Sequence, residues 1–289
     1  MSLGLAMAGG GLKGLAYIGV FKALNEIGIK PEFLSGTSSG SIFATMYALG
    51  CTPDEMKEKA LAYYRMITKI KKTPILKAGL TYLTTGVAKI EGLIPGENIE
   101  ELVKIVAKDK NINNMSDLDI SYAIATVDTI STKECIFLSK KIKNPQKNID
   151  YIYNAPIEKA TRASMSFPGV FTPCQYDKYN FIDGGTKDNL PVQALKDMGA
   201  TKTLGISFKI DDYEPKKDIL GILLRTVDIF SLKDVRNAQS ISDLAIEIDA
   251  SGTSLLQIDD IDKVINTGYN TIMENKERIL KLVEKVEKK

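Results

Sequence analysis

The chain has 289 residues, 44% hydrophobic and 26% charged, with 22 glycines and a formal net charge of +2. That length suits one α/β domain with a sizeable core, and the composition excludes collagen-like, mucin-like and wholly disordered chains. The near-neutral charge argues against nucleic acid as the main partner. Histidine is missing from the sequence, so no Ser-His-Asp or Cys-His pair and no His-ligated zinc or iron site can form. Any nucleophilic catalysis needs a base that is not imidazole.

Leu3 to Ala8 is a short apolar run that stops at Gly9-Gly10-Gly11 and reads as a buried strand. From Gly14 to Ile27, Leu15, Ile18, Phe21, Leu24 and Ile27 recur at helical spacing. Phe33 and Leu34 centre a second strand, and Ser41 to Leu49 reads as a tight apolar helix. Strand, turn, helix and strand in this order make a βαβ unit, which predicts a central, mostly parallel sheet with helices on both faces. Thr52-Pro53-Asp54-Glu55 opens another helix, and Gly96 to Lys108 a further one. Ile70 to Leu93, broken by Pro74, Gly79, Gly86 and Gly92, reads as a cover over a site or an irregular connection.

Ile120 to Asp128 and Glu134 to Ser139 read as strands joined by a turn, and Lys140 to Lys147 as a solvated loop. Pro156 to Ser164 is a predicted short helix, Phe167 to Pro173 a loop, and Tyr179 to Ile182 a strand meeting Asp183-Gly184-Gly185. Pro191 to Met198 is a predicted helix and Thr203 to Phe208 a strand. The remainder reads as mainly helical, with Ala245 to Ile248 a late strand. No repeat or flexible linker divides the chain, so residues 1–289 are expected to form one domain. Cys51, Cys135 and Cys174 are odd in number and form no CxxC, which predicts free thiols in a reducing compartment. The opening residues carry no signal-peptide pattern and no apolar run reaches 18 residues, so the expected location is the cytoplasm, with peripheral contact at a membrane.

Two glycine turns carry the chemistry. Gly9-Gly10-Gly11-Leu12-Lys13-Gly14 fits the G-x-G-x-x-G pattern, whose backbone N–H groups serve a pyrophosphate or an oxyanion equally well. A dinucleotide site also needs an acid after the second strand, where Ser35 and Gly36 stand instead. Lys13 followed by Gly14 also lacks the ending of a P-loop. The second turn, Gly36-Thr37-Ser38-Ser39-Gly40, is G-x-S-x-G between a strand and a helix, the context of a nucleophile elbow with Ser38 at its apex. Gly36 and Gly40 let strand and helix approach closely. Serine needs a base. Asp183, before Gly184 and Gly185, is the best-placed carboxylate, although Asp in that position also caps turns. Lys13 is the other candidate, better suited to holding its loop or a substrate phosphate.

Taken together, these segments resemble the patatin-like phospholipase family in its short bacterial form. The first turn resembles the family's oxyanion turn, and Gly36 to Gly40 its nucleophile elbow. Arg162-Ala163-Ser164-Met165-Ser166-Phe167-Pro168-Gly169-Val170-Phe171-Thr172-Pro173 is similar to its proline-rich block, and Asp183-Gly184-Gly185 with Asn189-Leu190-Pro191 to the block of its catalytic aspartate. The resemblance implies a patatin-like catalytic core over residues 3–196 and leaves 197–289 as a helical extension packed on it. It also implies Ser38 as nucleophile, Asp183 as base and backbone N–H groups of Gly10, Gly11 and Leu12 as oxyanion hole, with no cofactor or metal. The implied substrates are acyl esters of phospholipids, galactolipids or neutral acylglycerols. Lys13 stands where many members have arginine, and Tyr17 where bacterial relatives often have histidine.

An acyl chain needs an apolar trough, and Ile75 to Leu93 and Ile219 to Leu232 are the expected walls. Lys57, Lys59, Arg65, Lys69, Lys71, Lys72 and Lys77 form a basic run suited to anionic headgroups or, more simply, to a solvated face. A broad carboxylesterase or thioesterase and a non-catalytic lipid-binding protein are the competing readings.

Overall fold

The computed structural model describes residues 2–67, 94, 96–210, 219–251 and 260–284. Strand β1 (Leu3–Met7) is buried along its whole length. It pairs in parallel with β2 (Phe33–Gly36) on one side and β8 (Lys202–Phe208) on the other. Its side chains alternate between two cores. Leu3, Leu5 and Met7 face the large one, while Ala6 contributes to a smaller core with Leu190, Val192 and Leu195. Helix α1 (Ala16–Glu26), α2 (Ser39–Ala48), α4 (Glu97–Asp109) and α5 (Ile157–Ser164) contribute to the large core, and α6 (Val192–Met198) covers the opposite face. Helix α3 (Pro53–Ile67) packs against α1 and α4.

The sheet continues from β2 to β3 (Ser121–Asp128) in parallel, then to β4 (Glu134–Leu138) in antiparallel, and to β5 (Ile149–Tyr153), parallel to β4. β6 (Cys174–Tyr176) and β7 (Tyr179–Asp183) form an antiparallel pair, and β7 joins β3. The order is β5-β4-β3-β2-β1-β8-β9, with β9 at Leu244–Ile248, a mixed sheet flanked by helices. β5 and β6 lie beyond the sequence expectation, since one is a half-buried edge strand and the other has three residues.

Residues 197–289 are not simply a helical extension. β8 lies beside β1 in the middle of the sheet, and β9 (Leu244–Ile248) extends it in parallel. The reason is visible in the sequence of β8, where Thr203 to Ser207 is buried throughout and needs neighbours on both edges. Helix α7 (Ile219–Ile241) connects the two strands. α8 (Ile261–Glu274) lies on α1 at Gly19 and Gly268, where an added Cβ would fall 1.9 Å from the Ile265 carbonyl oxygen and 2.0 Å from that of Ala16. α9 (Lys276–Val283) ends the described chain. The sheet is therefore continuous across residue 196.

The first glycine turn also differs from expectation. Gly11–Leu15 is a short 3₁₀ turn, and the α-helix begins only at Ala16. Tyr17, fully buried, donates its hydroxyl to the carbonyls of Ala8 (2.8 Å) and Ile206 (3.2 Å), tying the ends of β1 and β8 together. The stretch from Ile70 to Leu93, including the expected trough wall from Ile75, lies outside the described residues.

Candidate active site

Strand β3 serves as a ruler for the site. One edge of β3 pairs with β2 as far as Gly36, opposite Ile124. β7 takes over along that edge, with Asp183 opposite Thr126. β4 occupies the other edge over the same residues. Two residue steps along β3, across Ala125, therefore separate the ends of β2 and β7, about 7 Å along a strand. Both chains leave the sheet there through glycine-flanked turns, and Ser38 and Asp183 sit on the wall of one cavity of about 130 Å³.

Ser38 has φ 51° and ψ −127°, a backbone conformation that side chains other than glycine rarely adopt. Its neighbours hold it there. The Ser38 N–H donates to Ser164 Oγ (2.9 Å), and the Ser164 hydroxyl donates to the Ala125 carbonyl of β3 (2.7 Å). An added Cβ on Gly40 would fall 2.3 Å from the Met7 carbonyl oxygen, and one on Gly36 2.8 Å from the Gly40 backbone. The two flanking glycines thus permit the close packing of β1, β2 and α2 that raises Ser38 at the apex. The hydroxyl of Ser38 rests toward the Met165 sulfur, at 3.9 Å.

Asp183 is 1% exposed. Its Oδ1 accepts the Gly185 N–H (2.8 Å), while Oδ2 is buried with no hydrogen-bond partner among the described residues. Burial pushes the carboxyl up to about 7, and the Ser38 hydroxyl and the Gly185 N–H pull back against that rise. Oδ2 therefore makes no full hydrogen bond although the Ser38 hydroxyl lies near enough to lower the carboxyl's pKa, and a turn of the Ser38 side chain away from Met165 would complete one. Gly184 cannot carry a side chain here, because its Cβ would meet the Ala125 carbonyl oxygen at 2.4 Å.

The first glycine turn lies against this pair. Gly9, Gly10, Gly11 and Leu12 line the cavity. The Gly9 N–H donates to Asn189 Oδ1 (3.1 Å), and an added Cβ at Gly9 would touch the Ser38 Cβ at 2.8 Å. The N–H groups of Gly11 and Leu12 open the 3₁₀ turn, where backbone donors have no partner within the helix. Gly10 departs from expectation: its N–H donates to Ser39 Oγ (3.1 Å) and is occupied as the site stands. Gly14 makes room for Ser39. Lys13 is not on the described cavity wall; its Nζ donates to the Lys209 carbonyl (3.2 Å), a loop-holding contact.

Alongside these polar groups, Ile42, Phe43 and Met46 of α2, Ala60 of α3, Leu102 of α4, and Phe167, Val170 and Phe171 give the cavity an apolar wall, a trough for an acyl chain. Met46 lies eight residues along α2 from Ser38, about 12 Å at the helical rise. Of the expected Ile219–Leu232 wall, Val227, Asp228 and Ser231 line it. Ser39, Ser164, Met165 and Asn189 are contributors that no motif marked individually. In the basic run, Lys57 pairs with Asp262 and Lys59 with Glu58, while Lys69, Lys71, Lys72 and Lys77 lie outside the described residues. Among the described residues no group of three or more His, Cys, Asp or Glu could hold a metal ion.

A strained serine after a parallel strand, a buried carboxyl facing it and a glycine turn at its side define a candidate serine-nucleophile site on an α/β sheet. The sequence profile of the patatin-like phospholipases matches residues 5–196, and the chain belongs to that family. It is 28% identical over 213 residues to the patatin-like phospholipase domain-containing protein 6 of Mus musculus, covering 73% of this chain and 14% of that protein. It is 25% identical over 214 residues to an uncharacterized NTE family protein, Rv1063c, of Mycobacterium tuberculosis, covering 74% and 51%. The chain thus spans about half or less of these curated relatives. VipD from Legionella pneumophila has the same fold, with a TM-score of 0.52 at 14% identity over 96% of this chain and 67% of that one.

Proposed function

We propose that the protein is a serine lipid acyl hydrolase of phospholipase A type, cleaving fatty acyl esters through a Ser38–Asp183 dyad and an acyl-enzyme. The observation that carries this reading is Asp183 Oδ2, buried without a partner on the cavity wall it shares with Ser38. A carboxyl held near 7 is a far better base at neutral pH than one near 4. Asp183 takes the Ser38 proton as Oγ bonds to the ester carbonyl carbon. The oxyanion lies on the Gly11 and Leu12 N–H groups, and release of Ser39 Oγ frees Gly10 as a third donor. Asp183 then gives its proton to the departing alcohol or lysolipid. Water repeats the sequence: Asp183 accepts its proton, the hydroxide oxygen bonds to the acyl carbon, and Ser38 Oγ leaves with that proton. Each oxyanion donor is worth about 3 kcal/mol in a serine hydrolase. The apolar trough along α2 suits the acyl chain.

This reading needs no cofactor or metal. It takes membrane phospholipid or another acyl-ester lipid as substrate, in a short, bacterial-type family member acting from the cytoplasm at a membrane surface. No described helix is long and apolar enough to cross a membrane.

The test is incubation with a mixed lipid extract, followed by mass spectrometry of the products. Free fatty acid and lysolipid should appear with the wild type and stay at background with Ser38→Ala, which should also lose fluorophosphonate labelling. Turnover confined to soluble short-chain esters would replace the lipase reading with a broad carboxylesterase or thioesterase. Binding of lipid without turnover of any ester would leave a lipid-binding protein.

A further inference from the structure

Helix α7 has two faces with different surroundings. Val227, Asp228 and Ser231 line the cavity that holds Ser38. On the other side, Ile222, Ile229 and Phe230 are 51%, 56% and 66% exposed. The next turns along that side bring exposed Lys233 and Arg236. At 3.6 residues per turn the exposed five fall within an arc of about 120°, centred roughly opposite the cavity-lining three. α7 is therefore a wall one helix thick between the cavity and the exterior.

A single exposed apolar side chain is ordinary, but three large ones on one arc are a patch. Ile105 and Ile130, by contrast, are exposed on separate elements. We propose that this face of α7 docks the protein onto an anionic lipid bilayer. Ile222, Ile229 and Phe230 enter the boundary between headgroups and acyl chains, and Lys233 and Arg236 lie against lipid phosphates. An apolar cluster followed by cationic residues on one helical arc is the pattern of an interfacial helix. The charge sign selects an anionic surface. The position of the face, on the back of the wall lining the acyl trough, sets that trough beside the bilayer from which an acyl chain would enter. This last step rests on the proposed hydrolase reading; the docking itself does not.

Docking is measured on full-length Ser38→Ala protein by co-sedimentation with vesicles of phosphatidylglycerol and phosphatidylcholine in equal parts, and of phosphatidylcholine alone. Binding should favour the anionic vesicles and weaken with added salt. The double change Lys233→Gln/Arg236→Gln should lower partitioning about fivefold per charge removed, and Ile229→Ser/Phe230→Ser about tenfold or more. In otherwise wild-type protein, Ile229→Ser/Phe230→Ser should lower turnover of vesicle phospholipid similarly while leaving a soluble short-chain ester unaffected. Undiminished vesicle binding by both doubles would overturn the proposal. So would light scattering that finds a wild-type dimer split by Ile229→Ser/Phe230→Ser with vesicle binding intact, since the face would then belong to a protein interface. Vesicle binding that depends on these residues, in a protein that turns over no ester, would keep the docking surface and refute the hydrolase reading alone.

Discussion

The two glycine turns at the head of the cavity use the same residue for different physical ends. In the second turn, Gly36 and Gly40 are where backbone meets backbone, and an added Cβ at Gly40 would sit 2.3 Å from a strand carbonyl. Their absent side chains let β1, β2 and α2 close up, and that closure forces Ser38 into its positive-φ conformation. In the first turn, the space around Gly10 is bounded by a side chain, the Phe208 ring, at 2.6 Å from an added Cβ. Here the gain is access to N–H donors at the start of a 3₁₀ turn. One turn builds a strained scaffold; the other leaves polar backbone free for a ligand. Similar glycine spacing therefore does not imply a similar contribution to stability or to chemistry.

The largest test of this contrast removes the base that both turns face. Asp183→Asn keeps the side-chain shape and can still accept the Gly185 N–H, but cannot take a proton. Turnover should fall about 10³-fold or more, the scale of losing a member of a serine triad. A turn-capping Asp would be replaced by Asn at little cost, so near wild-type turnover in a folded variant would hand the base role elsewhere. Thermal melts supply the control for folding.

A direct comparison of the turns comes next. Gly40→Ala drives a methyl into the carbonyls of Met7 and Ala8, neither of which can step aside without opening β1. It should cost about 3 kcal/mol of stability, a melting temperature lower by roughly 5–10 °C. Gly10→Ala should cost less of the melt than Gly40→Ala, since its methyl would meet the Phe208 side chain rather than backbone. Its cost should fall on turnover, about tenfold, through displaced oxyanion donors. Equal melting temperatures for the two variants would erase the distinction drawn between the turns.

Ser38 and Asp183 were legible in the sequence because glycines flank both, and glycine marks the places where backbone packs against backbone, as at Gly36, Gly40 and Gly184. The supports were not. Ser164 sits at the end of a helix where serine is commonplace, and only the closure of β3 onto the elbow makes it the acceptor for Ser38 N–H. The same holds for Ser39, which captures the Gly10 N–H across 29 residues of chain. β8 was legible as a strand, but its position beside β1 depends on pairing across almost 200 residues, which no local pattern encodes. The α2 side of the trough read as an ordinary apolar helix because its Ile42, Phe43 and Met46 face looks the same whether it meets core or cavity.

The pH profile sharpens the assignment of Asp183. Its carboxyl is raised to about 7 by burial, so the base form is lost below that value. Turnover should drop about tenfold per pH unit below 7, the slope of a single ionisation. Stability should respond with the opposite sign. The folded carboxyl holds its proton more tightly than an unfolded Asp near 3.9, so this contribution is fully present below about 4 and is lost as pH rises through about 7. Burial also raises Asp188 and Glu134, which are not on the described cavity wall. The stability profile therefore sums several groups, whereas turnover should report Asp183. A flat rate between pH 5 and 8 would count against the dyad.

A loss of turnover no larger than that at Gly10 is expected at Ser164, which holds the elbow against β3. Ser164→Ala leaves the Ser38 N–H and the Ala125 carbonyl buried without their present partner, at a cost of about 1–3 kcal/mol. Part of that should appear as a lower melting temperature. The rest should appear as a fall in kcat of up to about tenfold, because a relaxed elbow no longer aims the Ser38 hydroxyl at Asp183 Oδ2. The pH profile separates this support from the base itself. The carboxyl's burial and its Gly185 hydrogen bond are left intact, so the variant should be slower at every pH with its midpoint still near 7. A shifted midpoint would mean that Ser164 tunes Asp183 rather than the elbow, and an unchanged kcat would mean that the strained conformation of Ser38 is held by the Gly36–Gly40 packing alone.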